Sequence, residues 1–324
     1  MFGPRNFRIP LACLLWCALV VPLWAADAPS ALMLRSNDVV AFVGGSDVAA
    51  AQFTGHLETL LAVKFPGARF RNFGWEGDTV YAQSRDIGFP PLTNHLQRAE
   101  ATVLILEFGR AEALSDRRRV TNFAAAYEKL LNECARQAPR LVLVTPPPFE
   151  SAAAPLPDLS QRNALLAAHA EAVRALAQRR GLPVVDLFAE LGGASHVEPR
   201  LTDNGLQLTP RGHALAAAAF ARQLGFGELS ARPGEADDQG AWSNKDFEKL
   251  RQLTVAKNKL WFNYWRPQNW AFLGGDRTSQ PSSRDHRDPK VRWFPAEMEK
   301  FVPLIAEKEG EMEAVAAKLR GGAK

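Results

Sequence analysis

The sequence predicts a doubly wound α/β fold, a parallel sheet with helices on both faces. Three observations carry this. Between Asp38 and Leu224, apolar strand-like runs alternate with stretches of helical periodicity, the pattern of parallel strands joined by helices. The first run, residues 39–43, passes through Gly44, Gly45, Ser46 and Asp47 straight into a helical pattern from Val48 to about Phe65. That is how a buried strand delivers a side chain to the mouth of a parallel sheet. The 324 residues are 47% hydrophobic and 23% charged, proportions that suit a chain able to bury a core.

The N-terminus stands apart from the fold. Arg5 and Arg8 precede an apolar run from Ile9 to Trp24, and small residues follow at Ala25, Ala26 and Ala28. Residues 1–28 therefore read as a secretory signal peptide, with an exported protein, periplasmic or extracellular, as the expectation. The alternative is a retained membrane anchor, the only membrane contact expected; the run is short for a span and contains Pro10 and Pro22. A lipoprotein is disfavoured by the bulky Trp16 before Cys17. Cys13 and Cys17 leave with the signal, so Cys134 remains alone and no intrachain disulfide can form. Within a helical pattern it reads as a small buried hydrophobe, the sharper alternative being a reactive thiol.

In order, strands are expected at residues 39–43, 69–73, 102–108, 140–145 and 183–188, with helices at 120–138 and 159–180 among those between them. Ligands of such sheets bind outside the carboxyl ends of the strands. The loops after Val43, Phe73, Phe108, Thr145 and Phe188 are therefore the ones to search. This domain spans residues 29–226. Residues 227–240, rich in Gly, Pro, Glu and Asp, read as a linker, and residues 241–324 as a helical, Trp-rich C-terminal extension. Five of the eight tryptophans fall there, flanked by helical patterns at 246–265 and 295–320. Leu253, Lys257, Leu260, Trp261 and Trp265, spaced three or four apart, form a face suited to packing on the sandwich. The same Trp, Tyr and Arg cluster could instead stack on sugar rings or anchor a protein partner, with Trp261 and Trp265 as binding residues.

Ser46 is a candidate nucleophile, although a Ser at a strand end also serves as a helix N-cap. After the second strand, Gly74, Gly77, Asp78 and Thr79 offer a loop that can aim a backbone amide at a developing oxyanion, with Gly44 and Asp78 as further binding candidates. Gly-Asp is equally ordinary turn material. The order of these blocks resembles the SGNH (GDSL-type) hydrolases: residues 42–46, Phe-Val-Gly-Gly-Ser, are similar to the family's strand-end Gly-Asp-Ser, and residues 74–79 to its second block. The resemblance covers residues 38–224. It implies a flavodoxin-like three-layer α/β/α sandwich with a five-stranded parallel sheet, an esterase activity on acyl esters, acylated carbohydrate among them, Ser46 as nucleophile and Gly77 as oxyanion-hole glycine.

The departures from that pattern are chemical. Gly45 stands where the family has Asp, and Ala111 where its third block has the oxyanion-hole Asn. Its Asp-x-x-His falls on Asn204 and Gln207, so the base position carries an amide that cannot take a proton near neutral pH. Asp203, Glu112 and His213 are the substitutes in sequence reach. The expectation is an esterase-like protein of weak or absent activity. The alternative is a catalytically dead envelope protein that binds a glycan or protein partner through the strand-end pocket and the aromatic extension. A net charge of +4, from 39 basic and 35 acidic residues interspersed along the chain, gives no nucleic-acid footprint. No cofactor and no metal-ligand spacing is read.

Overall fold

The structure, a computed structural model, describes residues 33–115, 120–195 and 199–321. The signal peptide reading lies outside the described residues. Five strands, β1 (Val39–Gly44), β2 (Arg69–Asn72), β3 (Val103–Glu107), β4 (Arg140–Thr145) and β5 (Val184–Asp186), form one parallel sheet in the order β2-β1-β3-β4-β5. Each falls within a residue or two of its expected range. The helices before β5 are α1 (Ser46–Thr54), α2 (His56–Lys64), α3 (Leu92–Arg98), α4 (Arg110–Ala113), α5 (Val120–Ala135) and α6 (Asn163–Arg180). After it come α7 (Leu187–Glu190), α8 (Pro210–Gln223), α9 (Gly227–Ala231), α10 (Lys245–Trp265), α11 (Trp270–Leu273), α12 (Trp293–Glu299) and α13 (Phe301–Gly321).

Strand residues alternate between the sheet's two faces. Val40, Phe42, Val103 and Ile105 pack with Leu60 and Leu61 of α2 and Phe220 of α8. Ala41, Val43, Leu104 and Leu106 pack with Phe123 and Tyr127 of α5 and Val173 of α6. Helices thus cover both faces, which is why the strands read as continuous apolar runs. Cys134 is fully buried on this second face, and burial pushes its thiol up to about 12, which leaves it an inert core residue.

One expected helix is divided. The periodic stretch 48–65 breaks at Gly55, whose φ of 73° is left-handed and ends α1 while opening α2. A side chain there would press on α10, with Val255 Cγ2 at 3.1 Å and the Arg251 carbonyl at 3.4 Å. The break lets α10 come close, and Arg251 donates to the freed Thr54 carbonyl at 2.8 Å.

Residues 227–240 hold α9 and pack against the domain: Gly240 takes a 2.7 Å hydrogen bond from His56 Nε2. Helix α10 lies along α1, α2 and the edge of β2 and pairs with α13. Phe247 and Leu250 join the first core face, and Trp261 and Trp265 the second. No helix among the described residues is long and apolar enough to cross a membrane.

Candidate active site

β1 ends at Gly44, where a Cβ would lie 2.5 Å from both the Glu107 carbonyl and Val48 Cγ2. Gly44 is therefore a packing glycine that lets α1 turn back over β3. Ser46 follows as the first residue of α1, exposed at the carboxyl end of the sheet. No side chain caps this helix, so its first amides are free of a capping oxygen. Ser46 is thus the helix's first residue, and the N-cap position belongs to Gly45.

The loop after β2 is stitched to α1. Asn72 Nδ2 donates to the Val48 carbonyl at 2.8 Å, Gly74 N to Asn72 Oδ1 at 2.8 Å, and Trp75 N to the Gly44 carbonyl at 3.1 Å. A Cβ at Gly45 would sit 3.0 Å from the Asp78 carbonyl. The loop's close approach thus occupies space that the family's aspartate would need. Gly77 holds a left-handed φ of 83°, and Asp78, not Gly77, faces the cleft beside Ser46. The Asp78 carboxylate is gripped by Arg85 at 2.6 and 2.8 Å, while burial pushes its pKa up. Arg85 and Arg266 lie 4.2 and 3.6 Å from the ring centre of Trp75, and Arg266 also pairs with Glu76 at 2.7 Å. The C-terminal extension thereby clamps the loop that borders the cleft.

After β3, Gly109 turns the chain at φ 124° into α4. Glu112 accepts from Gly109 N at 2.9 Å and Val80 N at 2.8 Å, one bond per carboxylate oxygen. Burial raises its pKa and these bonds oppose the rise. Glu112, considered as a substitute base, braces the β2 and β3 loops and also lines the cleft that holds Ser46. Arg110 binds Asp47 through two contacts of 2.8 and 2.9 Å and donates to the Pro148 carbonyl at 3.0 Å.

The loop before α8 carries the remaining family positions. Asn204 Oδ1 accepts from the amides of Leu206 at 3.0 Å and Gln207 at 2.7 Å, and its Nδ2 donates to Gln207 Oε1 at 3.2 Å. The two side chains keep the mutual contact expected of a carboxylate and its base, with neither group ionisable. Pro210 starts α8, and Thr209 caps it by accepting from Gly212 N at 2.9 Å. Asp203 is exposed and lines no part of the cleft.

Ser46, Asp78, Ala111 and Gln207 thus converge on one cleft of about 100 Å³. A second cavity of about 80 Å³ adjoins it, with Asp47 and Glu107 lining both. His213, the other proposed substitute, lies in that second cavity and not beside Ser46. It is buried with Nε2 unpartnered; burial brings its pKa down to about 4, with Arg110 pushing the same way and Asp47 opposing. Glu107, Asp47 and Arg110 were not singled out by the sequence. Burial and the nearby Asp47 push Glu107 up to about 8. The available signal was a carboxylate closing the apolar run of β3 directly opposite Gly44. Among the described residues no group of three His, Cys, Asp or Glu is arranged to hold a metal.

The model of the GDSL-like lipase/acylhydrolase family matches residues 40–215. The chain belongs to this family. Its match runs from β1 into α8 and so includes every GDSL block position discussed above. No curated protein sequence matches this GDSL-like chain. Among solved structures it resembles BT4096, a gut microbial diltiazem-metabolizing enzyme, at 13% identity and a TM-score of 0.55 over 91% of this chain and 97% of that one. A catalytic mutant of Axe2, an acetylxylan esterase from Geobacillus stearothermophilus, aligns at 16% identity, TM-score 0.47, over 60% of this chain and 97% of its own. A lipolytic G-D-S-L family member from Veillonella parvula gives 15%, 0.44, 57% and 97% in the same terms. The likeness to BT4096 is one of fold. It extends past the GDSL-like domain into the C-terminal helices.

Proposed function

We propose that this GDSL-like protein receives an acyl ester of the kind acylated carbohydrate presents in the cleft over Ser46, and hydrolyses it slowly or not at all. One observation carries this: the base position is Gln207, hydrogen-bonded to Asn204. A neutral amide cannot remove the Ser46 proton, and without that step a serine hydrolase retains only binding and oxyanion contributions. Ala111 supplies no side-chain donor to an oxyanion, a loss of roughly 10²–10³ in rate elsewhere. What remains favours binding: uncapped amides at the start of α1, an accessible hydroxyl, and Gln207 able to donate and accept. With an exported chain, the ester belongs to the cell envelope or its surroundings.

The test is exposure of the purified mature protein to short acyl esters and a serine-directed phosphonate. The expected result is hydrolysis close to background and no rapid labelling. Rapid labelling at Ser46, abolished in Ser46→Ala, would overturn the impaired-site reading. The combined change Ala111→Asn, Asn204→Asp and Gln207→His should raise ester hydrolysis by roughly 10² or more.

A further inference from the structure

Asp47, Asp78, Glu107 and Glu112 all line the cleft over Ser46, and three of these carboxyl groups have partners. Asp47 is held by Arg110 at 2.8 and 2.9 Å, Asp78 by Arg85 at 2.6 and 2.8 Å, and Glu112 by the amides of Gly109 and Val80. Glu107 differs from them. Its side chain makes no hydrogen bond or ion pair among the described residues. It is partly exposed and opens on the cleft, so a ligand can reach it.

The strand explains its place. Glu107 ends β3 opposite Gly44 of β1, and alternation puts its side chain on the sheet face of Val103 and Ile105, which α2 and α8 cover. It therefore stands beside Asp47 in the wall between the cleft and the second cavity. Asp47 of α1 and Arg110 of α4 act on it directly, and Tyr127 of α5 senses it from the other face of the sheet. His213 of α8 and Glu58 of α2 open on the same second cavity; the imidazole is neutral and the glutamate is paired with Lys257.

The guanidinium nearest to Glu107 is already engaged. Arg110 gives two contacts to Asp47 and one to the Pro148 carbonyl. Two carboxyl groups thus share one cation, and Asp47 holds it. A carboxyl in a poorly hydrated wall, beside a like charge and without a counter-ion, keeps its proton. In that form it has one O–H to donate. The cleft has the matching deficit, because Ala111 lines it and brings no side-chain donor, whereas the carbonyl oxygen of an ester only accepts.

We propose that Glu107 is a ligand-contacting donor of this cleft: its carboxylic O–H hydrogen-bonds the carbonyl oxygen of the ester, in place of the side-chain amide that Ala111 lacks. The assignment rests on the acyl-ester reading of the cleft given above. Other enzymes keep a carboxyl group in its acid form in an apolar site for the same purpose. Once ionised, Glu107 turns acceptor against acceptor and repels the carbonyl, so the ester is held only while the proton is held.

Titration calorimetry with xylose tetraacetate on the full mature chain tests this at pH 6 and pH 9, on either side of the Glu107 value of about 8. The parent should bind at pH 6 and roughly tenfold more weakly at pH 9. Glu107→Gln keeps a donor that cannot ionise, so its affinity should change by less than about twofold between the two. Glu107→Leu has no donor and should bind roughly tenfold more weakly than the parent at pH 6. A parent affinity independent of pH, a pH step that persists in Glu107→Gln, or full affinity in Glu107→Leu overturns the role of Glu107 and leaves the acyl-ester reading standing. Absence of binding in the parent at both pH values overturns both. If the probe is instead hydrolysed at a catalytic rate, the impaired-site reading fails; the same pH step in kcat/KM then upholds the donor and its absence overturns it.

Discussion

Lys257 of α10 and Glu58 of α2 meet at 2.5 Å inside the core, 0% and 5% exposed. The ammonium also donates to the Phe70 carbonyl at 3.0 Å and Asn258 Oδ1 at 2.7 Å. Burial lowers the lysine's pKa and the glutamate beside it opposes the drop. One such pair, far apart in sequence, joins the extension to the first helices of the domain.

Removing one partner leaves an uncompensated buried charge. Lys257→Met should therefore cost about 3–5 kcal/mol in urea denaturation, and Lys257→Met with Glu58→Leu should recover most of that loss. If single and double variants lose the same stability, the two residues do not act as a pair.

Glu107 gives a pH signature. Its folded value of about 8 lies above the 4.5 of a free glutamate. The protonated form is therefore favoured by folding, and that contribution is complete below pH 4.5 and lost as pH rises through 8. Glu107→Gln cannot ionise, so it should equal the parent near pH 4 and exceed it at pH 9 by up to about 5 kcal/mol. Thermal melts across that range read the crossover; a constant offset between the two proteins would refute it.

His56, His95 and His213 act in the opposite direction. Burial lowers each to about 4 from 6.5. Their contribution is present above pH 6.5 and lost as pH falls towards 4, with a slope of up to about 1.4 kcal/mol per pH unit for each group. Unfolding free energies measured between pH 7 and pH 4 should show this steep acid limb. His213→Leu should flatten it by about one proton; an unchanged slope would mean that His213 ionises freely in the fold.

Glu100 closes α3 in a conformation suited to glycine, with Glu100 N bonded to the Gln97 carbonyl at 3.0 Å and Ala101 N to the Leu96 carbonyl at 3.0 Å. Glu100→Gly should stabilise the protein by about 1 kcal/mol in chemical denaturation. A destabilised variant would show that the Glu100 side chain contributes contacts worth more than the strain.

The sheet was legible because its strands are buried on both faces and so appear as short apolar runs, from Val39 to Asp186. The positions of Ser46, Ala111 and Gln207 followed from the resemblance to the GDSL-type blocks, taken in order after those runs. The division at Gly55 was hidden, since periodicity continues through it and only the approach of α10 demands the turn. Glu112 and His213 looked like replacement bases from their places in the chain; Glu112 does line the cleft, whereas His213, on α8, opens on the neighbouring cavity. Which way a carboxylate or imidazole points depends on partners such as Val80 N, many residues away. Glu107 was missed because four apolar neighbours in β3 presented it as the end of a core strand. Trp261 and Trp265 satisfied both a packing and a binding pattern; both are nine-tenths buried, and Trp261 Nε1 reaches the Asn72 carbonyl at 2.9 Å.

That last bond, together with the one from Lys257, concerns β2 as the outermost strand. Phe70 and Asn72 point their carbonyls away from β1, and an exposed strand margin of this sort is a template on which another chain can add. Helix α10 occupies both acceptors with side chains in place of a sixth strand. A chain cut back to the family-matched residues would uncover this margin and self-associate edge to edge, so the smallest soluble unit of the protein includes the extension.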